Sequence, residues 1–315
     1  MGKPKQNLVL VGRNRTGALA DFKTIAKLIK QRAPDIRPLV IKDRPYNIAR
    51  ADVLFKPTLT VATQSLKKYR ALRGAVTENR LLLKSKEYEI LESAGVPVPK
   101  WALVSEQNPK PDLSGFTDYV VTKPDCGGRG AGVKIKRRGR VRWKPPQNDR
   151  ALRMGENDVI AQDFVYTGNW PISYRVTTLF GKVLFAWKVT AATDRRALLG
   201  PDRFKDGSGG GGMSICSSGK GCTFELIDDP DVLELGRQAH AAFPDHPLLG
   251  FDIVREVPSG KLSVLEANTC GQLWHFTSKT GQSIQRDNQI DFVSQFNGYQ
   301  QAADALIEET RKRAA

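Results

Sequence analysis

Leu248-Leu249-Gly250-Phe251-Asp252-Ile253-Val254 and Leu262-Ser263-Val264-Leu265-Glu266-Ala267-Asn268 decide how this 315-residue chain is read. Each is a run suited to a buried strand, and Pro258-Ser259-Gly260 between them reads as the turn of a hairpin. Each run also carries a carboxylate, Asp252 or Glu266, among apolar neighbours. A carboxylate in such a setting is costly unless its charge is compensated. Asn268 adds an amide oxygen, so three oxygen donors gather at the ends of paired strands. That set suits Mg²⁺, which takes few protein carboxylates and fills its shell with water and phosphate.

A phosphate-binding half lies upstream, in Tyr119-Val120-Val121-Thr122-Lys123-Pro124-Asp125-Cys126-Gly127-Gly128-Arg129-Gly130-Ala131-Gly132-Val133-Lys134-Ile135. The pattern is strand, glycine-rich turn, strand. Lys123 at the strand end can set an ammonium against phosphate oxygens. Gly127, Gly128, Gly130 and Gly132 let backbone N–H groups approach an anion without side chains in the way. The order is not that of a P-loop, in which the lysine follows the glycines and opens a helix. A hairpin without a ligand would use the same residues, so the reading rests on the combination with Asp252, Glu266 and Asn268.

A third segment joins these two. Asp158-Val159-Ile160-Ala161-Gln162-Asp163-Phe164-Val165 reads as a strand entering a linker. Tyr174 to Phe180 and Lys182 to Val189 read as a hairpin turned at Gly181. Earlier, Glu78-Asn79-Arg80-Leu81-Leu82-Leu83-Lys84-Ser85-Lys86 leads into Leu91-Glu92-Ser93-Ala94-Gly95-Val96-Pro97-Val98-Pro99. In this order, over about residues 77–285, the chain resembles the ATP-grasp superfamily of D-alanine–D-alanine ligase, glutathione synthetase and the ribosomal-protein glutamate ligases.

The resemblance implies a role for each matching residue. Lys84 and Lys123 hold ATP phosphates, and the loop carrying Gly127, Gly128 and Gly130 closes over them. The backbone from Gln162 through Asp163 to Val165 forms the hinge strand for adenine. Asp252, Glu266 and Asn268 hold one or two Mg²⁺, with Mn²⁺ the alternative ion and Glu266 bridging if there are two. Arg175 matches the basic residue aimed at the reacting phosphate. The chain departs from the family in three ways. Ser173-Tyr174 stand where many ligases put a ribose-binding carboxylate, leaving Asp163 or Asn169 for that contact. Lys188 is the nearest match to an arginine on the next strand. Arg203, before a glycine run at 207–212, is the match to an arginine preceding the metal strands. Trp274 and His275 lie in the loop that meets the second substrate in similar enzymes. Core packing for Trp274 and a local hydrogen bond for His275 are the competing reading.

Composition sets outer bounds. A chain of this length buries a large core in two or three subdomains. No run approaches a membrane span and no signal-peptide core opens the chain, so a cytoplasmic location is expected. Cys126, Cys216, Cys222 and Cys270 lack metal-site or disulfide-framework spacing. The formal charge is +16, of which residues 1–100 carry +13, with 21 Lys and Arg against 8 Asp and Glu. A second basic stretch, 134–144, alternates Val and Ile with Lys and Arg around Gly139 and reads as a hairpin with one basic face. The excess has two readings: a solvated surface, or attraction of an anion such as ATP or an acidic peptide. Few aromatics stand near it, which argues against stacking on single-stranded nucleic acid.

The expected architecture is α/β and α+β. Residues 1–76 form a Rossmann-like domain: strand at 7–12, helix from Ala18 to Arg32 with Phe22, Ile25, Ala26 and Ile29 inward, strand at 36–41. Further strands are expected at 52–55 and 59–62. Residues 77–164 hold a helix from about Glu78 to Ser93 and a lid subdomain. Residues 165–315 hold a metal-bearing antiparallel core sheet and an amphipathic helix near 300–312. The expected activity is an ATP-dependent carboxylate–amine ligase that releases ADP and phosphate through an acyl phosphate. Its substrates would be a small-molecule or peptide carboxylate and an amine, with an amino acid favoured and a homodimer compatible. The alternatives are a phosphotransferase acting on a hydroxyl and a non-enzymatic nucleic-acid-binding module.

Overall fold

The structure, a computed structural model, describes residues 4–13, 18–44, 55–128, 130, 132–144, 157–191 and 221–315. Arg203, the glycine run at 207–212, Cys216, the expected strand residues 52–54 and residues 14–17 between the first strand and helix lie outside them.

Three sheets form among the described residues. The first is parallel, in the order β2-β1-β3-β4, with β1 Gln6–Gly12, β2 Ile36–Lys42, β3 Thr58–Ala62 and β4 Ala75–Glu78. Strand β1 is apolar at every position from Leu8 to Val11 because both of its faces are covered. Leu8 and Leu10 meet Phe22, Ile25 and Ile29 of α1 (Ala18–Arg32), while Val9 and Val11 meet Ala62 and Tyr69 on the other side.

The second sheet is antiparallel, in the order β5-β8-β6-β7, with β5 Trp101–Val104, β6 Tyr119–Pro124, β7 Lys134–Arg137 and β8 Val159–Asp163. The third is also antiparallel, in the order β11-β10-β9-β12-β13, with β9 Ile172–Leu179, β10 Lys182–Thr190, β11 Thr223–Leu226, β12 Leu248–Arg255 and β13 Leu262–Asn268. The mixed α/β and α+β architecture is therefore as the sequence indicates. Helix α2 (Lys84–Ser93) packs on β13, and α3 (Pro230–Ala241) covers β9, β10 and β12. Helices α4 (Lys279–Asn288), α5 (Phe292–Gln295) and α6 (Gly298–Arg313) complete the chain. Helix α6 packs on α1, β1 and β10, so one core cluster runs from Leu8 and Phe22 through Leu306 to Phe185 and Trp187.

Two elements differ from the reading of the sequence. The helix expected from Glu78 begins only at Lys84, because residues 75–78 pair in parallel with β3 as a sheet edge. Gly74 just before them has φ +87°, and a Cβ there would lie 2.2 Å from the Thr58 carbonyl oxygen, so the turn admits only glycine. The basic hairpin expected around Gly139 does not form. Strand β7 ends at Arg137, having paired with β6 across the glycine loop, and Arg138–Arg140 is a 3₁₀ turn. The basic residues still cluster there, and burial with the charges of Lys134 and Lys144 holds the Lys136 ammonium below its usual range. Among the described residues no helix is long and apolar enough to cross a membrane, and Cys126, Cys222 and Cys270 form no disulfide.

A buried carboxylate ties helix α1 of the first sheet to the chain that follows the third sheet. Asp21 of α1 accepts from Trp274 Nε1 at 2.6 Å, Thr277 Oγ1 at 2.6 Å and Tyr299 OH at 2.7 Å. Asp21→Ala leaves these donors unpaired and is expected to lower stability by about 2–4 kcal/mol, with Asp21→Asn losing less. Urea denaturation checks this, and an unchanged midpoint for Asp21→Ala would contradict the role of the hub. His240 of α3 is buried against Thr178, with Nδ1 and Oγ1 2.7 Å apart. Burial lowers its pKa from 6.5 to about 3. The unfolded chain therefore takes up the proton first, and stability is lost as pH falls from about 6.5 towards 3. His240→Gln is expected to flatten that limb of the stability–pH curve, measured by thermal unfolding across the range.

Candidate functional site

The hairpin β12–β13 sets Asp252 directly opposite Glu266, and Gly250 opposite Asn268. Cross-strand partners share a face, so the two carboxylates lie side by side. Strand β9 brings Arg175 opposite Asp252 on the other edge of β12. Arg175 forms a bidentate pair with Asp252, its Nη2 donating to Oδ2 at 2.8 Å and its Nε to Oδ1. The guanidinium also lies 5.9 Å from the ring centre of Trp187, its cross-strand neighbour on β10. Gly250 makes room for it: a Cβ there would stand 3.2 Å from Arg175 Nη1.

Lys84 reaches the same carboxylates from α2. Its Nζ donates to Glu266 Oε1 at 2.7 Å and to the Gly127 carbonyl at 3.3 Å. Leu83 offers no side-chain cap to this helix. Asp125 supplies one from the glycine loop: its carboxylate accepts from Ser85 N at 2.7 Å and Ser85 Oγ at 2.8 Å, and its carbonyl from Lys84 N at 3.1 Å. The loop thereby fixes where Lys84 stands.

Lys123 comes from β6 and is 6% exposed. Its Nζ donates to Tyr88 OH at 2.9 Å and to the Leu265 carbonyl at 3.0 Å. The Tyr88 hydroxyl also lies 2.8 Å from Gln162 Oε1 and 2.6 Å from the Leu265 oxygen. One phenol thus joins β6, β8 and β13.

The electrostatics follow from this crowding. Burial pushes the Lys123 pKa down to about 8. Burial acts the same way on Lys84, but the Glu266 carboxylate outweighs it and the ammonium is held above its usual range. For Glu266, burial opposes ionisation, and Lys84 and Lys123 overcome it, so the carboxylate is held below its usual range. Glu87, one turn along α2, is buried with one oxygen unpartnered; burial and then the Glu266 charge push its carboxyl well above the usual range.

The structure brings together Lys84, Lys123, Gln162, Arg175, Asp252, Glu266 and Asn268, with Gly127 beside Lys84. Around Gly128 and Gly130 a Cβ would meet nothing within 4 Å, so the loop offers an open backbone surface. Val165 follows the end of β8, in the segment joining the second sheet to the third. Asp163 is turned away: it alternates with Gln162 along β8, and its carboxylate accepts from Thr117 N at 3.0 Å. Asn169 Oδ1 accepts from Tyr166 OH at 2.7 Å at the surface.

Lys188 is not brought to the cluster. It follows Trp187, which pairs with Arg175, so it stands on the opposite face of β10 and meets Glu225 at 2.8 Å. Trp274 and His275, expected at a substrate, are core residues instead. Trp274 is 2% exposed, bonded to Asp21 and edge-on to Phe22. His275 pairs through Nδ1 with the Leu273 carbonyl at 3.0 Å, packs edge-on to Trp187, and is held to a pKa of about 3 by burial and then Arg175. The residues that sequence reasoning missed are Asp125, Tyr88, Glu87 and Trp187. An acidic residue beside the glycines was a signal for Asp125; the other three carry none.

Among the described residues no group of three or more His, Cys, Asp or Glu side chains forms a metal site. The donor set nevertheless fits a hard divalent cation: two carboxylates in register, and an amide whose Nδ2 is committed to the Gly250 carbonyl at 3.0 Å and to Asp252 Oδ2 at 3.2 Å, leaving Oδ1 as its remaining donor to a metal.

No family model matches the sequence, and no curated protein does. Solved structures do. The ATP-grasp ligase PsnB, complexed with its minimal precursor, aligns with a TM-score of 0.54 at 16% identity, over 97% of this chain and 100% of that one. The same ligase with minimal precursor, Mg and ADP gives 0.53 at 15% identity, over 96% and 98%. The D-cycloserine synthetase DcsG gives 0.51 at 15% identity, over 95% and 99%. These likenesses cover nearly the whole chain and show that it has the fold of these ATP-grasp ligases.

Proposed function

We propose that this protein is an ATP-dependent ligase that joins a carboxylate to an amine, using one or two Mg²⁺ and releasing ADP and phosphate. One observation carries the reading: Asp252 and Glu266 stand in register at the mouth of a basic cluster formed by Lys84, Lys123 and Arg175, beside an open glycine loop. A cluster of cations with two carboxylates suits a polyphosphate and its metal ion better than a neutral ligand.

Residues 1–76, 77–164 and 165–315 serve in this reading as substrate-side domain, nucleotide lid and metal-bearing core. Lys84 and Lys123 hold phosphate oxygens, and loop amides at Gly127, Gly128 and Gly130 cover them. The β8 strand and the chain through Val165 face the base. Asp252, Glu266 and Asn268 hold the cation, whose charge offsets that of the phosphates when it is bound. A carboxylate oxygen attacks the γ-phosphorus and ADP leaves. The amine then attacks the acyl carbon, phosphate leaves, and the amine proton passes to solvent. Arg175 faces the charge that develops in both steps. Closure of the lid keeps water from the acyl phosphate.

The solved neighbours give context for the substrates. PsnB is also known in complex with the precursor peptide PsnA2, and DcsG is a D-cycloserine synthetase. An amino acid or peptide is the proposed substrate class, and a second carboxylate on it would match the basic excess of the chain.

The test is ADP formation over a panel of carboxylates with pooled amino acids. ADP and phosphate are expected only when acid and amine are both present. ADP formed with an alcohol and no phosphate release would favour phosphoryl transfer to a hydroxyl. Glu266→Gln is expected to cut turnover below about a tenth of wild type, a loss of at least about 1.4 kcal/mol of transition-state stabilisation. Lys123→Ala is expected to weaken nucleotide binding by about tenfold or more in calorimetry, and unchanged affinity would make Lys123 structural.

A further inference from the structure

The two carboxylates assigned to the metal already accept from cationic protein donors, and the amide beside them donates to one of them. Glu266 carries Lys84 at 2.7 Å, Asp252 carries Arg175 in a bidentate pair, and Asn268 turns its Nδ2, not its oxygen, towards Asp252 at 3.2 Å. Lys123 differs. Its Nζ bonds a phenol and a backbone carbonyl, and neither is anionic.

The chemistry of this arrangement is an exchange. Two carboxylates in register repel each other, and Lys84 and Arg175 cancel that repulsion. A divalent cation entering alone must displace both, which leaves an ammonium and a guanidinium in a half-buried cleft without counter-ions. Such a loss is large where water is scarce. Phosphate oxygens remove the obstacle. Lys84 borders Gly127 of the glycine loop, and a polyphosphate on that loop offers it a new anion. Arg175 has the planar fork that suits a phosphoryl group as well as a carboxylate.

We propose that Lys84 and Arg175 are switch residues: they mask the metal ligands in the resting protein, and nucleotide phosphates draw them off, so that the cation binds only together with the nucleotide. This rests on the ligase reading above. It adds that the same two side chains set the coupling between metal and nucleotide, and that removing either one strengthens binding of the metal alone.

The experiment uses the full chain with Mn²⁺ as probe, its free form followed by electron paramagnetic resonance, with and without a non-hydrolysable ATP analogue. Wild type is expected to bind Mn²⁺ at least about 100-fold more weakly without the analogue than with it. Lys84→Met and Arg175→Met are each expected to tighten binding of Mn²⁺ alone by about tenfold and to weaken the analogue. Lys123→Met is expected to weaken the analogue while tightening Mn²⁺ less than either. Thermal unfolding of each variant verifies that it folds, and the wild-type coupling factor needs no variant. Coupled binding in wild type with Mn²⁺-alone affinity unchanged or weakened in both Lys84→Met and Arg175→Met overturns the switch and leaves the ligase reading standing. Equal Mn²⁺ affinity in wild type with and without bound analogue also overturns the switch. Failure of wild type to bind the analogue at all overturns the ligase reading and the switch with it.

Discussion

Repulsion between two carboxylates in register is the constraint that organises this molecule. Asp252 and Glu266 share one face of β12–β13, where the sheet also packs against the rest of the protein. A protein can answer such a clash by protonating one group, letting in water, or importing cations. Here Glu266 is held ionised and two cations come from separate elements, Lys84 from α2 and Arg175 from β9. The next carboxyl away, Glu87, lies deeper, and burial and then the Glu266 charge push it well above the usual carboxylate range. The strand order serves the same end, because β9 lies between β10 and β12 and so sets Arg175 next to Asp252.

Importing cations has structural consequences further out. Lys84 opens a helix that has no cap of its own, so the helix depends on Asp125 from another sheet. Arg175 packs closely over Gly250 and leans on Trp187, whose ring in turn stacks on Phe185 and Phe292. Phe185 and Trp187 also meet His275 edge-on, and burial with the nearby Arg175 charge holds that ring to a pKa of about 3. The aromatic stack is thus the floor on which the charged layer rests.

Much of this was legible from residue patterns. The paired strands that carry Asp252 and Glu266, the strand–glycine–strand segment around Lys123, the hairpin at Gly181 and the first β-α-β unit all appear where periodicity and turn residues put them, since each is fixed by near neighbours in sequence. What escaped was set by distant partners. The start of α2 depends on Asp125, and the strand at 75–78 exists because β3 offers an edge. The face of Lys188 follows from the pairing of Trp187 with Arg175 and from the irregularity between Val183 and Phe185, which no local pattern discloses. Trp274 resembled a specificity residue from its place after Asn268. Its buried partner, Asp21, is 253 positions earlier in the chain.

Helix α2 belongs to two bodies at once. Its first turn is fastened to the glycine loop through Asp125, its middle to both antiparallel sheets through the Tyr88 hydroxyl, and its last turn to the third sheet through Leu91. A rigid rod gripped in this way leaves few degrees of freedom between the bodies it joins. The Tyr88 hydroxyl is the point at which the two antiparallel sheets are pinned together, with Gln162 and Lys123 on one side and the Leu265 carbonyl on the other.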